Sequence, residues 1–153
     1  MMGRPVFFRT TKIKVPLQLI ELEDDNYHLV AASVLPDGET GYWVVDTGAS
    51  KTVFDKNRSA NYQNTGEDPE KIHTAGIGDT PLETAIDYLH PFYLGKLKVK
   101  NLRVALLDLE SINQFYSQAT NLHICGLLGG DFLLKHHAMV DYKKRVLLLD
   151  RPF

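Results

Sequence analysis

Gly41-Tyr42-Trp43-Val44-Val45-Asp46-Thr47-Gly48-Ala49-Ser50 runs a strongly apolar segment straight into an acid. Aromatic and β-branched residues in succession suit a buried strand. A strand ending in Asp-Thr-Gly sets a carboxylate at the end of a buried element, where the Thr47 hydroxyl and the Gly48 backbone N–H can hold it. Gly48 is expected to turn the chain with φ > 0, a conformation resisted by residues with a Cβ. Asp46 is therefore the candidate reactive group. Taken alone, Asp-Thr-Gly is also an ordinary strand-end turn, so its meaning depends on what the rest of the chain builds around it.

Upstream, Ile13 to Leu22 alternates imperfectly and reads as a half-covered strand, pushed toward an edge by Pro16. Tyr27 to Leu35 forms the next strand, and Pro36-Asp37-Gly38-Glu39 turns it into the strand that delivers Asp46. Downstream, Thr52-Val53-Phe54 is a short apolar return, followed from Asp55 to Glu70 by a polar stretch expected as surface loop with a helical turn. Gly76-Ile77-Gly78 has the glycine content of a mobile hairpin tip. Glu83 to Leu94 and Lys96 to Leu107 read as strands joined through Gly95, with another break near Lys100-Asn101. Leu109 to Ala119 suits a short helix with Ser111 as N-cap. In Ile124-Cys125-Gly126-Leu127-Leu128-Gly129-Gly130-Asp131-Phe132-Leu133-Leu134 a buried strand breaks on two glycines, and Asp131 is expected to cap a helix to about His137. Ala138 to Asp141 and Arg145 to Leu149 close the chain as a hairpin. The class is mainly β, a small closed barrel or folded sheet with one short C-terminal helix.

The 153 residues suit one domain, 1–153, with a real core, and are too few for two of ordinary size. A composition of 44% hydrophobic and 24% charged residues is that of an ordinary globular chain. A net charge of −2 argues against general attraction to nucleic acid. Cys125 is the only cysteine, which excludes an internal disulfide and favours a reducing compartment. No signal-peptide core and no stretch near the roughly 20 apolar residues of a membrane span is present, so a cytoplasmic protein is expected. His123, Cys125, His136 and His137 lack the spacing of a zinc site, and no metal is expected. Cys125 reads as a small buried hydrophobe and the histidine pair as a helix end.

Three separated features together resemble the retropepsin-like aspartic proteases, the family of retroviral proteases and their cellular and bacterial relatives. Asp46-Thr47-Gly48-Ala49-Ser50 after an apolar strand is similar to the family's catalytic signature. Gly76-Ile77-Gly78 is similar to the flap tip that covers bound peptide. Gly126 to Leu133 resembles the family's hydrophobic-hydrophobic-Gly motif and the short helix that follows it. The resemblance covers roughly Leu17 to Leu149, and the layout looks closest to single-domain bacterial members. It departs from the viral pattern at Ser50, where those enzymes carry an acid, and at Gly130, where they carry an arginine that pairs with it.

The resemblance implies an aspartic endopeptidase without cofactor. Only one Asp-Thr-Gly occurs, whereas this chemistry needs two carboxylates, so it implies a homodimer in which Asp46 of each subunit meets at a two-fold axis. Two such carboxylates share a proton and titrate as a coupled unit. Thr47 would cross-link the two active-site loops. Gly48, Ala49 and Ser50 would bind substrate backbone, with Gly76, Ile77, Gly78 and Leu127 lining the channel of an extended polypeptide substrate. The alternative is a non-catalytic peptide- or partner-binding module on the same fold.

Overall fold

The computed structural model describes residues 12–65, 70–72 and 82–151. The expected flap tip, Gly76-Ile77-Gly78, lies outside them. Strand β1 (Lys12–Glu23) buries Ile13, Val15 and Leu17 and exposes the residues between them, so its alternation is that of a half-covered strand. It serves two neighbours in turn. Residues Lys12 to Pro16 pair with the last strand of the chain, and from Leu17 onward the pairing passes to β2 (Asn26–Val34). Pro16 sits at this seam, where its missing N–H is tolerated because, among the described residues, the first half of β1 pairs on one side only.

The turn from β2 into β3 (Thr40–Val45) is closed by Leu35 N–H on the Glu39 carbonyl, and Gly38 supplies φ +88°. Buried Asn61, from a helical turn at Ser59–Asn61, accepts from Asp37 N–H and donates to its carboxylate. The segment after Asp55 is thus less superficial than its polarity suggests. Asp55, Asn61 and Tyr62 are buried, and Asp55 accepts from Asn57 and from Leu109 N–H.

The remaining strands are β4 (Val53–Asp55), β5 (Glu70–Ile72), β6 (Leu82–Tyr88), β7 (Phe92–Leu94), β8 (Leu97–Val99), β9 (Arg103–Leu107), β10 (Ile124–Leu128), β11 (Met139–Asp141) and β12 (Val146–Asp150). Helix α1 (Glu110–Ser117) lies between β9 and β10, and helix α2 (Gly130–Lys135) follows β10. The single strand expected over Glu83–Leu94 is two strands. Around Leu89-His90-Pro91 the chain changes partner, from β9 for the first part to β2 and β8 for the second. Ser111 is not the cap of α1. That helix starts one residue earlier, and the carboxylate of Asp108 accepts the Glu110 N–H, a bond that pulls the Asp108 pKa down.

The sheet runs β11-β12-β1-β2-β3-β10-β4-β9-β6-β5, with β7 and β8 off this path. It folds on itself without closing into a barrel. Two pairings are parallel, β3 with β10 and β4 with β9, and the others are antiparallel. Strand β3 is buried on both faces, which explains its near-continuous apolar run. Trp43 points into one core, stacked on Phe92 at 5.5 Å and tilted against Phe54 at 5.6 Å. Val44 points into a second core with Val30, Ile86, Leu109 and Tyr116. Trp43 donates its indole N–H to Ser33 Oγ at 2.9 Å, which satisfies the polar atom it brings inside.

Candidate active site

The insertion of β10 between β3 and β4 places two glycine-containing loops side by side. Gly126 stands opposite Trp43 on one neighbour and Phe54 on the other. A Cβ there would meet the Val53 carbonyl at 2.3 Å and the Trp43 ring at 2.5 Å. Glycine at 126 is required by close approach, and so β10 can slide in beside β3. Its last carbonyl, Leu128 O, then accepts Asp46 N–H at 3.0 Å.

Asp46 is the first residue beyond β3 and is partly exposed. Its Oδ1 accepts Gly48 N–H at 3.0 Å, and its carbonyl accepts Ala49 N–H at 3.2 Å. The carboxylate is therefore anchored by a backbone donor at one oxygen. Of the two groups expected to hold it, Gly48 N–H does so. Thr47 is exposed, and among the described residues its hydroxyl has no partner within the chain. Gly48 does not use the left-handed region either; positive φ occurs at Gly38 and Gly95 among the described glycines. The turn is tied by the Asp46 side chain itself, an Asx-type turn that ordinary backbone angles accommodate.

Behind this loop lies a clamp that the sequence reading missed. Thr52 is fully buried. Its hydroxyl donates to Asp131 Oδ1 at 2.7 Å and accepts Gly129 N–H at 3.1 Å, while its own N–H donates to the same carboxylate oxygen at 2.8 Å. Asp131 also accepts Phe132 N–H. The expectation that Asp131 caps α2 is corrected: Gly129 holds the cap position, and Asp131, inside the first turn, ties α2 to the loop that follows Asp46. Gly130 N–H on the Ala49 carbonyl at 2.7 Å and Asp131 N–H on the Ser50 carbonyl at 3.3 Å complete the connection. A Cβ at Gly129 would meet Lys51 backbone at 2.6 Å, whereas at Gly130 the nearest heavy atom is 3.6 Å away. The small residue at 129 is dictated by packing, and that at 130 is not.

The carboxylate also has a polar neighbour pair. The register Val30↔Val44 puts His28 and Asp46, each two residues further along, on the same face of the sheet. Tyr116, from α1, donates its hydroxyl to His28 Nδ1 at 3.0 Å, and His28 Nε2 donates to Asn26 Oδ1 at 3.2 Å. Burial first, and the charge of Asp46 second, push the Tyr116 phenol up to about 12. Nothing in the local sequence marks Tyr116 as belonging beside Asp46, because the two are joined only through tertiary packing.

Ala49 is buried, Ser50 exposed, and Leu127 packs half-buried at the margin of the second core. Cys125 is wholly buried, and burial drives its thiol pKa far upward, as befits a small core residue. His123 accepts from Arg58 through Nδ1 at 2.8 Å, and His136 is buried at the end of α2 with its pKa lowered chiefly by that burial. Among the described residues no cluster of three or more His, Cys, Asp or Glu could hold a metal. No helix among them is long and apolar enough to cross a membrane.

Comparison with known proteins bears on this geometry. The family model described as aspartyl protease matches residues 30–132, from β2 to the first turn of α2. Among solved structures, the chain is similar to a retropepsin-like aspartic protease from Rickettsia conorii, with 18% identity, a TM-score of 0.52, and coverage of 95% of this chain and 97% of that one. Similarity to the retroviral protease-like domain of Ddi1 from Leishmania major is weaker, at 14% identity and a TM-score of 0.43 over 94% of this chain and 92% of that one. No curated protein matches the sequence significantly.

Proposed function

The chain belongs to the aspartyl protease family, and on that premise we propose that it is a homodimeric aspartic endopeptidase acting on extended polypeptide. The observation that carries the reading is the placing of Asp46. It is the sole Asp-Thr-Gly acid of the chain, partly exposed at the rim of the sheet, with one oxygen tied to Gly48 N–H. A second Asp46, from a partner subunit, completes the pair. Carboxylates at such range share one proton. The ionised member takes a proton from water as the water attacks the peptide carbonyl, while the protonated member donates to the carbonyl oxygen. Breakdown of the tetrahedral intermediate reverses these roles and protonates the leaving amine.

In this reading Thr47, which is exposed and whose hydroxyl has no partner among the described residues of its own chain, reaches across to the other subunit's loop. The backbone of Gly48, Ala49 and Ser50 lies along the substrate strand, Leu127 forms part of the floor, and Gly76-Ile77-Gly78 covers it. Residues 1–153 act as one domain with its core over about 17–149, and a cytoplasmic location fits the single buried cysteine. Asp46→Asn is the direct test. Purified protein should lose cleavage of an unfolded or extended peptide by at least roughly 10²–10⁴-fold, the range of a lost general acid–base, with its sedimentation behaviour unchanged. Undiminished cleavage would eliminate Asp46 as the catalytic group. Peptide binding without turnover by a monomeric wild-type chain would instead establish a binding module on this fold.

A further inference from the structure

The β7–β8 hairpin stands off the main path of the sheet, and among the described residues β8 pairs with β7 alone. Its two-residue turn, Gly95–Lys96, has Gly95 at φ +57° while Lys96 is not among the positive-φ residues. That is the pattern of a type II′ turn, in which the flanking pair, here Leu94↔Leu97, exchanges hydrogen bonds. Tyr93↔Lys98 comes next in register, so the N–H and C=O of Lys98 are directed away from β7. The residues Lys96 to Asn101 border a groove of about 500 Å³ that Ile13, Lys135, His136 and Arg151 also line.

Charge along this edge is patterned. Leu97 and Val99 are buried, while Lys96, Lys98 and Lys100 are exposed, so ammonium groups recur at every second residue. Lys135 and Arg151 line the same groove and add two cations, and among the described residues no Asp or Glu lines it. This concentration occurs in a chain of net charge −2. Lysine on an edge strand repels chance pairing with another neutral or basic strand. The same row attracts a strand of opposite charge.

We propose that the open edge of β8 binds an extended acidic polypeptide segment as an added strand, with carboxylates at alternate positions over Lys96, Lys98 and Lys100. Main-chain bonds to Lys98 supply affinity that is indifferent to sequence, and the two-residue period of a strand makes alternate acids the preferred pattern. This edge shares no residue with the Asp46 site, and the inference does not depend on proteolysis.

The test uses the full chain carrying Asp46→Asn, so that hydrolysis cannot consume the probe. Labelled Gly-Glu-Val-Glu-Val-Glu-Gly and its isomer Gly-Val-Val-Glu-Glu-Glu-Gly are compared by fluorescence anisotropy at low salt. The alternating peptide should bind about tenfold more tightly, Lys98→Glu should weaken it by about tenfold or more, and exchange of the Lys98 amide should slow in the complex. Equal binding of the two peptides, equally tight binding of a short single-stranded DNA, or unchanged exchange at Lys98 would each overturn the proposal. Should Lys98→Glu fail to fold, amide exchange in the parent protein decides.

Discussion

Replacing Thr52 by valine removes one oxygen from the interior and leaves the volume almost unchanged, which makes it a clean probe of the clamp behind Asp46. The hydroxyl is fully buried, donates to the Asp131 carboxylate at 2.7 Å and accepts Gly129 N–H at 3.1 Å. Losing a hydrogen bond to a charged group costs roughly 1.5–3 kcal/mol, and stranding a buried N–H costs roughly 1–3 kcal/mol. Asp131 keeps its bonds from Thr52 N–H and Phe132 N–H, both at 2.8 Å, so the lower part of the combined range applies, about 3 kcal/mol. For a domain of this size that is a large fraction of total stability. With a urea slope of about 1.5–2 kcal/mol/M, the midpoint should fall by about 1.5–2 M at unchanged slope. Thr52→Ser keeps the hydroxyl and loses a methyl group, at about 1 kcal/mol. The assay is urea unfolding at fixed protein concentration, followed by tryptophan fluorescence of buried Trp43. A Thr52→Val shift under about 0.5 M, or a serine variant as unstable as the valine one, would refute the reasoning.

The same packing makes Gly129→Ala informative, because the intruding Cβ would meet Lys51 and Ala49 backbone rather than a side chain that could swing aside. It should destabilise by roughly 1–3 kcal/mol and lower peptide cleavage beyond what its stability loss explains; full activity at matched folded fraction would contradict that. Cys125, buried and with its thiol pKa raised by burial, should resist iodoacetamide in native buffer and react in denaturant, and mass spectrometry showing prompt native labelling would disprove the packing described. His136 is held neutral by burial, its folded pKa lying below the unfolded value of 6.5. The unfolded chain therefore binds the extra proton first, and the stability contribution is present above about pH 6.5 and lost as pH falls toward the folded pKa. Melting temperature measured down through that window should decline less steeply for His136→Gln than for the parent, and parallel curves would exclude this histidine as a source of acid sensitivity.

Much of the architecture was legible because it is written in local pattern. Alternation at Ile13, Val15 and Leu17 gives β1, and the continuous run at Trp43-Val44-Val45 gives a strand buried on both faces. Gly38, Gly95 and Asn101 mark turns whose positive φ the structure contains. The misreadings fall where a residue answers to something distant in sequence. Asp131 looks like a helix cap from its neighbours, yet its carboxylate is taken by Thr52, 79 positions away. Ser111 loses the start of α1 to Asp108, whose side chain reaches the Glu110 N–H first. The polar stretch after Asp55 reads as surface, yet Asp55 and Asn61 are buried, and each finds hydrogen-bond partners there.

The sequence alone determined the mainly β class, the family resemblance, and Asp46 as the candidate acid, because strand period, turn chemistry and a short ordered motif are local properties of the chain. Only the tertiary structure decided how that acid is held. Threading β10 between β3 and β4 forces glycine at 126 and 129, joins the Asp46 loop to α2 through Thr52 and Asp131, and brings His28 and Tyr116 to the same side of the sheet. Those contacts span long sequence separations, and no periodicity encodes them; they exist once the apolar faces have packed and the buried polar groups of Thr52 and Asp131 have found each other.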